Sequence, residues 1–432
     1  MFRHRLYACQ KIRAMMRELK FLLRDKPALL WLALAFSLSI ISVSLGVREV
    51  GLQKAQISEL IELDKVEQEV VLAEQSDWGS VAYYTFHMTY DPPSDFAFAA
   101  MGQRDSLPWK HRIRMLALEG QIHESDAINP DFALVGRFDF AFLLSLIIPL
   151  FAILLLYDLR SGERSAGRLE LLEASLGSGR RLWLERACAR IGGLAILILI
   201  PLWIGGLISG ASIGVLFKAS VLTLCYLGLW TVISLLLAGP NQTGARNLTL
   251  LSGVWLLICA VMPAMTSEIS TRMVAVPAGG DIVLTQREAV NDAWDLPKED
   301  TMIPFVERQP DMAAYTKLES SFEWKWYYAF QQVGDQTAES LSQAYTQGRK
   351  DRDQWAGRLS IISPAGYVQR TLERWAATDT RAALKYESDI RGFHAGLRQY
   401  YYPRLFDGRT YDPFEIKSRP VFQPIQHNQS QN

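Results

Sequence analysis

Five long apolar segments constrain the fold of this chain more than any other feature of its sequence. Each is close to the ~20 residues that an α-helix needs to cross the ~30 Å hydrocarbon layer of a bilayer. The sequence therefore predicts an α-helical polytopic membrane protein with about five transmembrane helices and two mainly helical polar domains outside the membrane. The apolar segments are residues 28–47, 138–157, 191–209, 215–238 and 248–265.

The distribution of charge predicts an orientation for these spans. The formal net charge is zero, yet residues 1–27 carry eight Lys or Arg and residues 48–135 carry fifteen acids against seven bases. Basic residues close to a span are retained in the cytoplasm, so the N-terminus is expected inside. The predicted order is a cytoplasmic amphipathic helix (1–27), a transmembrane helix (28–47), an extracytoplasmic domain (48–136), a transmembrane helix (137–157), a cytoplasmic loop (158–190), three transmembrane helices (191–265) and a second extracytoplasmic domain (266–432), which leaves the C-terminus outside.

The basic N-terminus also has the general composition of a secretory signal. Both its basic region and its apolar run are too long for one, and Leu45 to Arg48 makes a poor cleavage site. We therefore expect a retained anchor. Two interpretations of residues 1–26 stay open: a helix lying in the headgroup layer of the inner leaflet, and a flanking retention signal only.

Motifs for catalysis or metal binding are missing from the sequence. It contains no GxxxxGK[ST] phosphate loop, no pair of histidines at zinc-protease spacing and no G-x-S-x-G nucleophile elbow. The four cysteines (Cys9, Cys188, Cys225, Cys259) have no metal-binding spacing and offer no disulfide framework to the outer domains. We expect neither an enzyme nor a cofactor in this chain, and no nucleic-acid partner.

Local patterns predict several further features. Pro149 and Pro201 lie inside apolar segments, where proline removes a backbone hydrogen bond, and both are predicted kinks or hinges. Spacing of apolar residues predicts an outer helix at 50–74, a short helix near 109–118, and helices over 312–355 and 364–402, followed by an extended proline-containing tail.

The polar stretch 158–190 carries seven arginines, five acids and a regular set of leucines. A short amphipathic helix of this composition suits docking against a cytoplasmic protein. It also suits an ordinary solvated connector, and composition alone does not separate the two.

The order Tyr157-Asp158, Glu163-Arg164, Gly167 and Leu169-x-x-Leu172, directly after the second span, resembles the inner loop of type-2 ATP-binding-cassette exporter permeases. In that family the loop bears a coupling helix that sits in a cleft of a separate ATPase subunit. The resemblance implies a permease subunit in a bacterial inner membrane, with a second permease subunit, and with ATP and Mg on the ATPase. Its candidate coupling residues are Glu163, Arg164, Gly167, Leu169, Leu172, Arg180 and Arg181.

Those residues receive roles from the resemblance. Glu163 and Arg164 would set the loop through ion pairs, Gly167 would permit close approach, and Leu169 and Leu172 would fill the ATPase cleft. Pro92-Pro93-Ser94, Gly102-x-Arg104-Asp105, Phe138-Asp139-Phe140 and Ile362-Ser363-Pro364-Ala365 are similar to a bacterial subgroup with large outer insertions. This chain has Arg168 at the position where the family usually has a small or hydroxyl residue. Members of the family are also expected to have a sixth span after the second outer domain. Either this is a five-span protein with its C-terminus outside, or the sixth span is supplied by another chain or is missing from this sequence.

Other classes of function remain as alternatives. A membrane-anchored outer module, in which the aromatic-rich region 266–432 binds a ligand or a cell-envelope partner, is the second interpretation. An envelope hydrolase is the third, disfavoured because no nucleophile or metal set is recognisable. Asp139 and Lys218 are the charged residues within the apolar segments, and both lie close to a membrane boundary. The scarcity of charge argues against an ion or proton path and favours amphiphilic cargo for an exporter.

Overall fold

The computed structural model describes residues 16–124, 138–175, 179–239 and 241–424, with the backbone alone at 173, 175, 179 and 180. The structure is 77% helical, and five of its helices are long and apolar enough to cross a membrane. The chain thus has the architecture of an α-helical membrane protein. Each predicted apolar segment lies within one of these helices, apart from residues 138, 139 and 238 at segment ends.

Helices and strands follow in a simple order. In the first half they are α1 (Lys26–Glu74), α2 (Trp78–Tyr84), β1 (His87–Tyr90), β2 (Lys110–Ile113), α3 (Leu118–His123), α4 (Phe140–Phe142, a π-helical turn Leu143–Ile147, and Ile148–Leu156), α5 (Ser161–Ser165) and α6 (Leu169–Ser175). In the second half they are α7 (Gly179–Ser209), α8 (Ile213–Leu237), α9 (Gly244–Leu256, a π-helical turn Leu257–Val261, and Met262–Met273), α10 (Gly279–Asp292), α11 (Lys298–Arg308), α12 (Trp324–Leu359), α13 (Pro364–Trp375) and α14 (Thr380–Phe406).

Helix α1 joins two elements that the sequence predicted separately. The first span and the helix at 50–74 form one α-helix of 49 residues. Asp25 caps its first turn by accepting a hydrogen bond from the backbone N–H of Ala28 at 3.3 Å, and Pro27 stands in that turn, where its missing N–H costs nothing. A 49-residue helix is about 73 Å long, so it extends well beyond a ~30 Å hydrocarbon layer.

The spans pack around a loop segment that the sequence did not single out. Residues 96–101 are at most 1% exposed and lie between α1 and α7. Glycines make this possible, because a Cβ at Gly46 would lie 2.0 Å from the carbonyl oxygen of Phe98 and a Cβ at Gly205 would lie 3.0 Å from its ring. The same two helices are also joined directly, since Ser39 Oγ on α1 donates to the carbonyl of Ile198 on α7 at 3.2 Å.

The predicted kink at Pro149 corresponds to a π-helical turn that directly precedes the last part of α4. Proline at 149 cannot donate to the carbonyl four residues earlier, at Ser145. The hydroxyl of Tyr226 on α8 donates to that carbonyl instead, at 2.8 Å. A π turn in α9 is likewise followed by a proline, Pro263. At Pro201, by contrast, α7 continues as an α-helix.

The two polar regions predicted as separate domains share one hydrophobic core. Trp78, Val81 and Met115 from the first region lie in the same buried cluster as Phe305 and Tyr328 from the second. We call residues 75–124 and 274–424 together the outer body, after the side of the membrane on which the charge distribution predicts them. Each region covers apolar surface that the other would expose, so the two pack together.

Three local predictions in the outer body also need correction. The segment near 109–118 is not a helix: Lys110–Ile113 pairs antiparallel with His87–Tyr90, with Thr89 opposite His111. The region 312–355 divides into a 3₁₀ turn at Pro310–Tyr315 and α12, which begins only at Trp324. The region 364–402 divides at Ala376–Asp379 into α13 and α14, and α14 continues through Pro403 to Phe406.

Candidate functional site

The candidate site is the loop between α4 and α7 together with the helical residues 16–22 that pack on it. Helix α5 ends with two backbone hydrogen bonds, from Gly167 N to Arg164 O at 2.9 Å and from Arg168 N to Glu163 O at 2.9 Å. This is the Schellman pattern, which needs a left-handed residue at its centre. Gly167 supplies it, with φ of +68°.

The backbone angle by itself requires glycine at position 167. A Cβ at this position would meet nothing within 4 Å among the described residues. Close approach of a separate subunit to Gly167 stays a prediction. The turn that it forms reverses the chain between α5 and α6.

Ion pairs connect the loop to the N-terminal segment. The carboxylate of Glu163 accepts from Arg168 Nε and from Arg186 Nη1, both at 2.8 Å. Arg186 Nε also donates to Glu18 Oε2 at 3.0 Å, and Arg17 Nε donates to the other oxygen of Glu18 at 3.0 Å. The Glu18 side chain is only 2% exposed. Arg186 of α7 thus joins the N-terminal segment to the loop through the carboxylates of Glu18 and Glu163, both largely shielded from water.

A second connection lies at the base of α1. Arg190 Nη2 donates to Asp25 Oδ2 at 2.8 Å, while its Nη1 donates to the carbonyl of Leu155 at 2.8 Å. Asp25 is also the residue that caps α1. The guanidinium of Arg190 therefore holds the start of α1 and the end of α4 against α7.

Asn247 connects the site to α9. Its side-chain amide donates to the carbonyls of Tyr157 at 3.2 Å and Gly239 at 3.3 Å, and to the hydroxyl of Ser161 at 3.4 Å. Asn247 is 1% exposed, so these bonds satisfy the NH₂ group of a buried amide, whose Oδ1 has no hydrogen-bond partner among the described residues. A displacement of α5 would consequently also displace the start of α9, where Asn247 lies.

The leucines of α6 differ in burial. Leu169 and Leu172 are half-buried and pack against the core of the spans, whereas Leu171 is 73% exposed. Contact of Leu169 and Leu172 with a partner stays a prediction, and Leu171 is the most accessible of the three. The exposed large apolar side chains among the described residues of the site are Leu171, Leu184 on α7, and Met16, Leu19 and Phe21 in the N-terminal segment.

The remaining predicted coupling residues are Arg164, Arg180 and Arg181. Arg164 is exposed. Arg181 Nε donates to Glu185 Oε1 at 2.8 Å, one turn further along the exposed surface of α7. The side chain of Arg180 lies outside the part that the structure describes.

A cavity of about 410 Å³ lies between the N-terminal segment and the loop. Its walls combine apolar surface from Phe21, Leu22, Leu171 and Leu172 with the charged residues of the network. Among the described residues no group of three or more His, Cys, Asp or Glu could hold a metal ion. Apolar walls flanked by paired charges are suited to binding a protein side chain.

Sequence reasoning missed Glu18, Asp25 and Arg186 as parts of this site. The signal was present, since Glu18 and Asp25 are the acids among the eight bases of residues 1–27. The basic residues of this segment predict its orientation, whereas the two acids form ion pairs with arginines of α7.

Comparison with known proteins gives one match. Residues 282–425 match a family described as "Domain of unknown function (DUF3526)", which is about one third of the chain. Nothing matches among curated proteins or solved structures. The matched segment runs from α10 to the end of the described chain and lies in the outer body, apart from the candidate site.

Proposed function

We propose that this chain is the permease subunit of an ATP-driven exporter and that a separate ATPase subunit docks at α5, α6 and residues 16–22. The observation that supports this most is the ionic network of Glu163, Arg186 and Glu18 beside exposed Leu171. In this proposal the N-terminus and the loop are cytoplasmic, the outer body is extracytoplasmic, and the membrane is a bacterial inner membrane.

The contacts suggest how a docked ATPase would move the spans. Displacement of α5 pulls on Arg186 through Glu163, and α7 moves with it because Arg186 belongs to that helix. Arg190 passes the displacement to α1 through Asp25 and to α4 through the carbonyl of Leu155. Two such subunits, alike or different, would enclose the transport path, and ATP and Mg would be held by the ATPase.

Leu171→Asp tests the docking surface. The full chain is purified from membranes in a mild detergent, and vanadate-sensitive ATP hydrolysis is measured in the eluate. We expect wild type to retain this activity and Leu171→Asp to lose at least tenfold, since an aspartate in an apolar contact loses burial and brings an unpaired charge. Val421→Asp is the matched control, because Val421 is 70% exposed and lies in the outer body. Equal activity in both variants would reject the docking assignment.

A second candidate is an outer binding module, for which the spans serve as an anchor. It is supported by a cavity of about 840 Å³ between α12 and α14, lined by amide, hydroxyl and charged side chains. Glu119 lies in its wall, and although burial opposes ionisation, hydrogen bonds from Arg391 and His123 hold the pKa of Glu119 below its usual range. Purification of the wild-type chain without any ATPase activity would favour this module over the exporter.

A further inference from the structure

A second polar pocket, of about 450 Å³, lies at the opposite end of the spans from the candidate site. One wall is the last part of α9, with Thr266 and Ser270, and the others belong to α12 and α13. The apolar segment of α9 ends at 265, so this pocket begins where the hydrocarbon layer ends. Lipid headgroups occupy that level of a bilayer.

The pocket presents arginine donors that the chain itself does not use. Arg352 Nη2 donates to the carbonyl of Val274 at 3.0 Å, and Arg370 Nη2 donates to Asp353 Oδ1 at 2.6 Å. The hydrogen bonds of both arginines use Nη2, and neither Nη1 atom donates to any of the described residues. The Nε atoms also lack a partner, but they are enclosed by protein. A phosphate that accepts from both Nη1 atoms would form charge-assisted hydrogen bonds and be stabilising.

The charge of the pocket favours an anion. Arg349, Arg352 and Arg370 line it, against Asp353 and Glu373. Arg349 is paired with Glu387, and Asp353 is paired with Arg370 and Arg381. Burial raises the pKa of Glu373 to about 7, so this carboxyl carries only part of its charge near neutral pH and Arg352 outweighs it. The hydroxyls of Ser267 and Thr271 also line the facing wall of α9.

Apolar side chains beside the pocket suit the remainder of an amphiphile. Ser360 lines the pocket, and the next two residues, Ile361 and Ile362, are 76% and 62% exposed. The 3₁₀ turn that holds them contacts α9. Isoleucines exposed beside the end of a membrane span are favourable in contact with acyl chains and unfavourable in water.

We propose that this pocket binds the phosphate headgroup of an anionic lipid, with Arg352 and Arg370 as its ligands and the acyl chains in the bilayer beside Ile361 and Ile362. The inference goes beyond the proposed docking of an ATPase and does not depend on it. Inorganic phosphate shares the headgroup chemistry, and the test below separates the two sources.

The test uses three probes on the full chain, delipidated in a nonionic detergent and followed by native mass spectrometry. Dioctanoyl phosphatidylglycerol has both headgroup phosphate and acyl chains, dioctanoylglycerol lacks the phosphate, and inorganic phosphate lacks the chains. We expect one saturable site for the phospholipid, none for dioctanoylglycerol, and affinity at least 100-fold weaker for phosphate. Equal binding of dioctanoylglycerol would overturn the proposal, and phosphate bound as tightly as the lipid would overturn the lipid source.

Variants locate the site. Arg352→Gln is expected to weaken phospholipid binding by about tenfold, the effect of losing a charge-assisted hydrogen bond. Arg374→Gln is the matched control, because Arg374 is exposed on α13 and is not part of the pocket. Ser267→Asp leaves every arginine in place and adds a carboxylate to the pocket wall, so it should weaken binding equally if the ligand is an anion. Unchanged binding in Arg352→Gln, or in a folded Ser267→Asp variant, would place the lipid elsewhere.

Discussion

The guanidinium of Arg186 donates a hydrogen bond to the carboxylate of Glu18 at 3.0 Å, across 168 residues of sequence. The Glu18 side chain is 2% exposed and the Arg186 side chain 14% exposed. This pair and the neighbouring Glu163 hold the N-terminal segment against the loop between α4 and α7. It is the contact on which the proposed docking surface most depends.

Loss of one member of this pair should destabilise the protein substantially. We expect Glu18→Gln to lower the free energy of unfolding by about 3 kcal/mol, because breaking a buried pair leaves a charge without full compensation. Thermal unfolding of the purified chain in detergent measures this. Glu62→Gln breaks the exposed pair with Lys65, whose side chains are 73% and 62% exposed, and should cost less than ~1 kcal/mol. Equal losses would show that the Glu18 pair is solvated.

Gly167 should resist substitution because of its backbone angle. At φ of +68° an alanine is strained, so Gly167→Ala is expected to cost about 1 kcal/mol and to reduce the recovery of any docked ATPase. Gly192 in α7 provides the control, since a Cβ there meets nothing within 4 Å and its backbone is helical. Gly192→Ala should be neutral or slightly stabilising. An unaltered unfolding temperature in Gly167→Ala would mean that the turn is not fixed.

Gly46 should be intolerant of any side chain. A Cβ there would lie 2.0 Å from the carbonyl oxygen of Phe98, so Gly46→Ala must displace backbone and is expected to cost about 3 kcal/mol or more. Gly51, five residues later on the same helix, has open space around it. Fluorescence-detected gel filtration after a heat step should show early loss of the folded peak for Gly46→Ala only. A normal profile for that variant would indicate that residues 96–101 do not insert between α1 and α7.

The buried carboxyl of Glu373 makes stability depend on pH. Burial raises its pKa from 4.5 to about 7, with Gln369 donating to it at 2.8 Å. The folded state therefore binds the proton more tightly than the unfolded state, and stability that is fully present below about pH 4.5 is lost as pH rises through about 7. The loss from this group is on the order of 3 kcal/mol. Glu373→Gln should flatten the unfolding temperature between pH 5 and 8 relative to wild type, and parallel curves would contradict the shift.

The positions of the spans followed from the sequence because a bilayer demands long apolar helices, and these read directly from composition. The fold of the outer body was harder to predict from the sequence. Strand β2 was predicted as helix since its pairing with β1 depends on residues about 20 positions away, as between Thr89 and His111. The shared core of Trp78 with Tyr328 likewise joins distant segments that each looked like a separate domain.

The candidate site was predictable in place but not in detail. The composition of 158–190 located the loop, and Glu163 does form ion pairs, with Arg168 and Arg186. Which leucine of α6 remains exposed depends on how that short helix packs on the spans, and Leu171 could not be distinguished from Leu169 by spacing alone.

Helix α1 has a mechanical consequence. It begins beside Arg190 at one end of the spans and ends at Glu74, next to the outer body. A continuous helix resists compression along its axis, so an axial displacement of its first turn would also displace its last turn at Glu74. Helix α1 is thus a rigid connection between the ionic network of the candidate site and the outer body.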